Sequence, residues 1–154
     1  MNVWVSCMKT ILMSIRDEPF EAIIEGKKKH EFRRKFYVDE PCQVIFYVSS
    51  PVSAICGVGI FDKPIKRDVE DLVRIIKTHS FSSEESLRNY MGGLGEGYAL
   101  PVTKSRKINP ITLDELRGEI SGFAPPQSYC RFDTDKFKNL ISRLNLYETP
   151  DEII

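Results

Sequence analysis

The sequence predicts an α+β domain: a strongly curled, mixed or antiparallel sheet, or small barrel, with helices packed around it. Two observations predict this. Several strand-length apolar runs are joined to their neighbours by short turns. The hydrophobic period then changes from 2 to 3.6 near Asp68 and becomes strand-like again after a glycine cluster. The chain has 154 residues, 42% of them hydrophobic and 29% charged, which suits one domain with a real core.

Residues 9–16 form a short apolar run that reads as a central strand. Asp17 caps a helix over 18–25, with Pro19 tolerated in its first turn and Gly26 as its stop. Phe20, Ile23 and Ile24 make its buried face. Residues 28–36 alternate and read as a second strand. Lys28, His30, Phe32, Arg34 and Phe36 fall on one face, and Lys29, Glu31, Arg33 and Lys35 on the other. Strands at 42–49 and 54–61 follow, joined at Ser50-Pro51, and Gly57 and Gly59 mark a bulge or a close backbone approach in the latter. Asp68 caps a helix carrying Val69, Leu72, Val73 and Ile76. Ser82 and Glu85 suggest a capping box for another with Leu87, Tyr90 and Met91. Gly92, Gly93, Gly95 and Gly97 lead into a fifth strand at 97–104. Residues 105–132 read mostly as loop, with one helical turn at 113–117 capped by Thr112 and Glu115. A last helix near 134–145 buries Phe137, Leu140, Ile141 and Leu144.

Lys plus Arg and Asp plus Glu both total 22, so the net charge is zero. That excludes a globally basic nucleic-acid binder and leaves room for a local patch. Cys7, Cys42, Cys56 and Cys130 lie far apart, and His30 and His79 are the two histidines. This excludes neither chemistry outright but points away from a zinc site and from a disulfide scaffold. No metal and no cofactor are expected. The apolar start reads as a strand rather than a signal peptide, and no run approaches a membrane span. A reduced, soluble, cytoplasmic protein is expected, with no membrane partner.

The strongest local signal spans residues 26–35, where six basic residues stand with one acid. Such a density holds phosphates, or else keeps a strand edge solvated. Glu31 and Arg33 share a strand face, so the carboxylate can orient the guanidinium for bidentate contact. Tyr129 and Phe132 flank Arg131 as an aromatic–basic cluster able to stack on an unpaired base, with Phe132 reading more as a core plug. Lys104, Arg106 and Lys107 extend the positive surface if their strand lies near 28–36. The 92–97 glycine cluster runs from helix to strand, the reverse of a phosphate loop, and reads as a turn.

Here the residues resemble a known family. The run Ile11-Leu12-Met13-Ser14-Ile15, an amphipathic helix and then Gly-x-Lys-x-x-Glu-x-Arg (Gly26, Lys28, Glu31, Arg33) is similar to the opening of an ASCH domain, a member of the PUA-like superfamily. The likeness extends to residues 47–51, 57–59, 98–100 and 125–129, and so covers about residues 8–132. It implies a barrel of five to six strands with flanking helices and a cleft beside the motif. It implies residues 1–7 as an extension, 8–147 as the domain and 148–154 as an acidic tail.

The resemblance also implies an RNA- or nucleotide-binding module, with a regulatory role open to it, and the leading reading is non-catalytic. Lys28, Lys29, Glu31 and Arg33 would line the cleft, with Ser49, Ser50, Gln127, Ser128 and Tyr129 on its rim. Phosphates would meet Lys28, Lys29 and Arg33, and a base would enter near Tyr129. Two other readings stand beside it. One is a hydrolase of RNA or of an acetylated cytidine, using Lys28 and Glu31 as acid–base groups. In the amidohydrolase branch a threonine follows the lysine, and here Lys29 stands there, which weakens that version. The other is a protein-interaction or transcription-regulatory module whose basic run meets an acidic protein partner.

Overall fold

A computed structural model describes residues 8–78 and 81–148. The expectations for residues 1–7, for Cys7 and His79, and for the tail from 149 onward lie outside the described residues.

Both faces of the first apolar run are covered, which is why it lies inside the sheet. In β1 (Lys9–Ile15), Ile11, Met13 and Ile15 enter one core cluster and Leu12 enters another. Helix α1 (Asp17–Ile24) follows at once and buries Phe20, Ala22 and Ile23. Arg16, not Asp17, stands at its N-cap, in extended backbone and with no side-chain cap; Asp17 begins the first turn. The helix ends in a Schellman turn: Gly26, at φ +78°, donates to Ile23 O, and Lys27 donates to Ala22 O. Only glycine takes that backbone freely, so Gly26 redirects the chain just before Lys28.

The predicted strand over 28–36 is real for only four residues, β2 (His30–Arg33). The longer predicted strands are found as β3 (Cys42–Val48), buried along its whole length, and β4 (Ala54–Phe61). Gly57 sits where strand and helix meet: a Cβ there would lie 2.8 Å from the Arg106 carbonyl and 2.8 Å from the Phe20 ring. The close backbone approach expected of these glycines is thus observed, together with register shifts beside Gly57 and between Phe46 and Tyr47.

A short exposed strand, β5 (Ile65–Asp68), escaped the periodicity because only Ile65 is even half-buried. Asp68 then caps α2 (Val69–Ile76) by accepting from the Asp71 amide. Helix α3 (Glu84–Met91) is capped by Ser83 rather than Ser82. The fifth predicted strand is far longer than expected, as β6 (Glu96–Thr112). Its second half reads as loop because Pro110 and basic residues interrupt the alternation. Its residues 96–101 pair with β2 and β5, and 102–112 pair with β4.

Thr112 caps α4 (Leu113–Glu119), and the three-residue β7 (Tyr129–Arg131) pairs with β1. Only α5 (Ile141–Leu144) remains of the predicted last helix. The Asp133 carboxylate accepts from the amides of Asp135 and Lys136, a local turn that competes with helix. Phe137, Leu140 and Leu144 are buried all the same.

Among the described residues seven strands form one curled sheet in the order β2-β6-β4-β3-β1-β7, with β5 on β6. The pair β1 and β3 is parallel and every other pair is antiparallel. The mixed, curled α+β architecture is as expected, and β5 and β7 take the count to seven. Because β1 and β3 run parallel, their carboxyl ends, Ile15 and Val48, lie side by side. The segments leaving those two ends build the site.

Candidate functional site

The Schellman turn brings Lys28 onto the side of Glu31 and Arg33, although alternation placed it on the opposite face. Lys28 precedes the strand, so strand alternation does not govern it. All three side chains are about nine-tenths buried or more. Lys28 Nζ is 3.5 Å from Glu31 Oε1, and Arg33 Nη2 is 3.3 Å from Glu31 Oε2. Glu31 Oε1 also accepts from the Phe32 amide at 3.0 Å. Both carboxylate oxygens are therefore engaged. Arg33 Nη2 donates to the Ser14 carbonyl at 2.9 Å, and Nη1 donates to Ser128 Oγ at 3.2 Å. The Lys28 ammonium lies 5.4 Å from the Phe32 ring centroid and 5.7 Å from that of Phe81.

Two cations and one carboxylate leave this cluster with one net positive charge in a poorly hydrated place. A buried carboxylate between two cations fixes them in position, and the uncompensated charge favours an anion in front of them. What lies in front is a cavity of about 550 Å³. Lys28, Glu31 and Arg33 line it, with Phe81 and Tyr90 on one side and Pro19 on another. This is the size range of small-molecule sites, and the lining is at least as polar as apolar, with Glu18, Ser82, Ser83 and Ser86 beside the charged cluster.

A second cavity, of about 420 Å³, adjoins the first, sharing Ser14, Ile15 and Arg16 with it. It opens outside the carboxyl ends of β1 and β3. Ser49, Ser50 and Gln127 line it, as does Tyr47. Of the sequence-derived candidates, the structure thus gathers Lys28, Glu31 and Arg33 around one cavity and Ser49, Ser50 and Gln127 around the other. Ser128 joins them through its bond to Arg33 and through its carbonyl, which accepts from the Ser14 amide.

Two candidates are placed elsewhere. Lys29 is exposed and lines neither cavity, because it points opposite to Lys28 at the start of the strand. The Tyr129 ring packs 4.8 Å from Phe36, and its hydroxyl accepts from the Tyr37 amide at 2.7 Å, so it faces away from both cavities. Phe132 packs 4.8 Å from Phe137, as a core residue. Lys104, Arg106 and Lys107 lie in the half of β6 that pairs with β4, away from β2. There Lys107 pairs with Glu21 at 2.8 Å, and Arg106 sits over Tyr147. Ser14, Arg16, Tyr47 and Phe81 were not named as site residues from the sequence, although Ser14 and Tyr47 lie in stretches that carry the resemblance. Otherwise their one signal was position, just beyond or within the ends of predicted elements.

The cysteines carry no activated thiol among the described residues. Burial pushes Cys42 up to about 12 and raises Cys130 and Cys56 as well. No group of three or more His, Cys, Asp or Glu among the described residues is placed to hold a metal ion. No helix among them is long and apolar enough to cross a membrane.

His30 is half-buried beside the cluster, and burial, then the Lys28 charge, lowers its pKa from 6.5. The unfolded chain therefore takes up the proton first. Stability is complete above pH 6.5 and is lost as pH falls below it, toward the depressed native pKa. Urea midpoints measured between pH 8 and 5 are expected to decline over the acidic half, and His30→Gln to flatten that decline.

Comparison with known proteins fits this geometry. No family model matches the chain. An ASCH domain-containing ribonuclease from Zymomonas mobilis is 29% identical over 135 residues, which is 87% of this chain and 91% of that one. The crystal structure of ASCH from Zymomonas mobilis superposes with a TM-score of 0.80 at 28% identity, covering 91% of this chain and 97% of that one. The chain is similar over almost its whole length to an ASCH domain protein. The S128A mutant of the Zymomonas mobilis protein gives a TM-score of 0.79 at 28% identity over 87% and 95% of the two chains. Its Y47F mutant gives 0.80 at 27% identity over 90% and 99%. The PUA-like α+β fold is thus shared with these structures almost end to end.

Proposed function

We propose that this protein binds single-stranded RNA in the paired cavities and cleaves it there. The observation that carries the reading is the buried Lys28–Glu31–Arg33 cluster, whose one net positive charge faces a cavity of nucleotide size. A phosphodiester carries the complementary charge. As the phosphate gains negative charge in the transition state, two prepositioned cations stabilise it more than they stabilise the ground state. The name of the similar Zymomonas mobilis protein, a ribonuclease, supports the same reading. Two of that protein's solved mutants change a serine and a tyrosine. The cleft of this chain presents those residue types as Ser128 and Tyr47.

Within this reading Lys28 and Arg33 contact a phosphate of the nucleotide seated in the first cavity. Glu31 is a positioning residue, since its oxygens already accept from two cations and an amide. That occupied carboxylate also favours a second reading, an RNA-binding module that holds the strand without cutting it. Regulation through an acidic protein partner gains no specific observation.

Fluorescence anisotropy with labelled single-stranded RNA, duplex RNA and DNA across a salt series tests binding. Single-stranded RNA is expected to bind most tightly, with log affinity falling linearly against log salt. The slope is expected to be shallow, about 0.7 per phosphate engaged, because only two or three cations reach the cavities. Equal affinity for all three, or no salt dependence, would remove the reading.

A further inference from the structure

We infer that Arg16 grips the phosphodiester joining two consecutive unpaired nucleotides, whose nucleosides occupy the two cavities on either side of it. The inference rests on the proposed RNA reading and specifies its substrate, a strand of at least two unpaired nucleotides.

Three observations carry it. Arg16 lines both cavities, at the turn where β1 ends and α1 begins. Its side chain is exposed, and among the described residues its guanidinium forms no hydrogen bond or ion pair. The chain thus keeps a permanently charged, five-donor group unspent between two concavities. Finally, the two cavities differ in chemistry. The first holds the Lys28–Glu31–Arg33 cluster and the rings of Phe81 and Tyr90. In the second, Arg16 is the one charged side chain among the described residues that line it; Tyr47, Ser49, Ser50, Ser53 and Gln127 are its neutral polar residues, and its exposed wall is mostly apolar. A neutral, mostly apolar wall with a few polar residues suits an uncharged nucleoside, and aromatic walls suit the flat face of a base. A linking phosphate then falls between them, where Arg16 stands. Duplex RNA cannot enter this way, because neighbouring bases stay stacked and cannot be parted around the β1–α1 turn.

The test uses the full chain as wild type, Arg16→Ala, Arg16→Lys and Lys28→Met. Binding is measured for a dinucleotide with one internal phosphodiester, for the matching nucleoside, and for a longer single-stranded RNA. Wild type is expected to prefer the dinucleotide over the nucleoside by tenfold or more. Arg16→Ala is expected to abolish most of that preference, and Arg16→Lys to recover part of it. Thermal midpoints should stay within about 1 °C of wild type, because the side chain has no partner in the fold to lose. Unchanged dinucleotide preference in Arg16→Ala, with Lys28→Met impaired, overturns the role of Arg16 and leaves the RNA reading standing. No binding of the longer RNA by wild type overturns both.

Discussion

Replacing Glu31 by glutamine is expected to destabilise the domain by about 3–5 kcal/mol, the typical effect of stranding a buried charge. The substitution keeps the shape of the side chain and removes only its charge. Lys28 and Arg33, both about nine-tenths buried, would then lie in the same poorly hydrated space with nothing to offset them. At 2–4 °C per kcal/mol for a domain of this size, the midpoint should drop by roughly 10 °C. The double variant Glu31→Gln/Lys28→Met is expected to recover part of the loss, since it removes one of the two unpaired charges. Urea denaturation of the three proteins checks this. A Glu31→Gln midpoint equal to wild type would show that the carboxylate does not hold the cluster.

Lys28→Met has the opposite profile, a small effect on the fold and a large one on activity. It takes the cluster from one net positive charge to none while Arg33 still pairs with Glu31. The methionine body keeps an apolar contact with Phe32 and Phe81, over which the ammonium now sits. A prepositioned charge facing a developing anion is worth about 10²–10³ in rate. RNA cleavage by Lys28→Met is therefore expected to fall by that factor in kcat/KM, with most of the loss in kcat. A change confined to KM would assign Lys28 to ground-state binding alone.

The sequence was a good guide wherever burial was symmetric or local chemistry was decisive. The apolar runs of β1, β3 and β4 are buried on both faces, so their strands were legible. The caps at Asp68 and Thr112 were legible because a side-chain oxygen and an amide three residues on suffice to make them. The long β6 was not, because its second half is only partly buried and carries Pro110 and several charges that register with β4 overrides. Gly26, Lys28, Glu31 and Arg33 stood out as a motif, yet strand alternation put Lys28 on the wrong face. A turn fixed by one glycine, rather than a period of two, decides where Lys28 points. Tyr129 was misread for a related reason: an aromatic beside an arginine looks like a stacking platform until tertiary contacts with Phe36 and Tyr37 use up its ring and hydroxyl. Arg16 and Tyr47 gave no local sign, since what makes them neighbours is the parallel pairing of β1 with β3.

Time courses of a 5′-labelled single-stranded RNA, incubated side by side with wild type and Lys28→Met and resolved by length, test the central claim most directly. Progressive shortening by wild type, with the variant slower by two to three orders of magnitude and still folded, is the predicted result. Equal cleavage by the two proteins would place the chemistry outside this cavity, and an RNA left intact by wild type would leave the cleft a binding site without a ribonuclease.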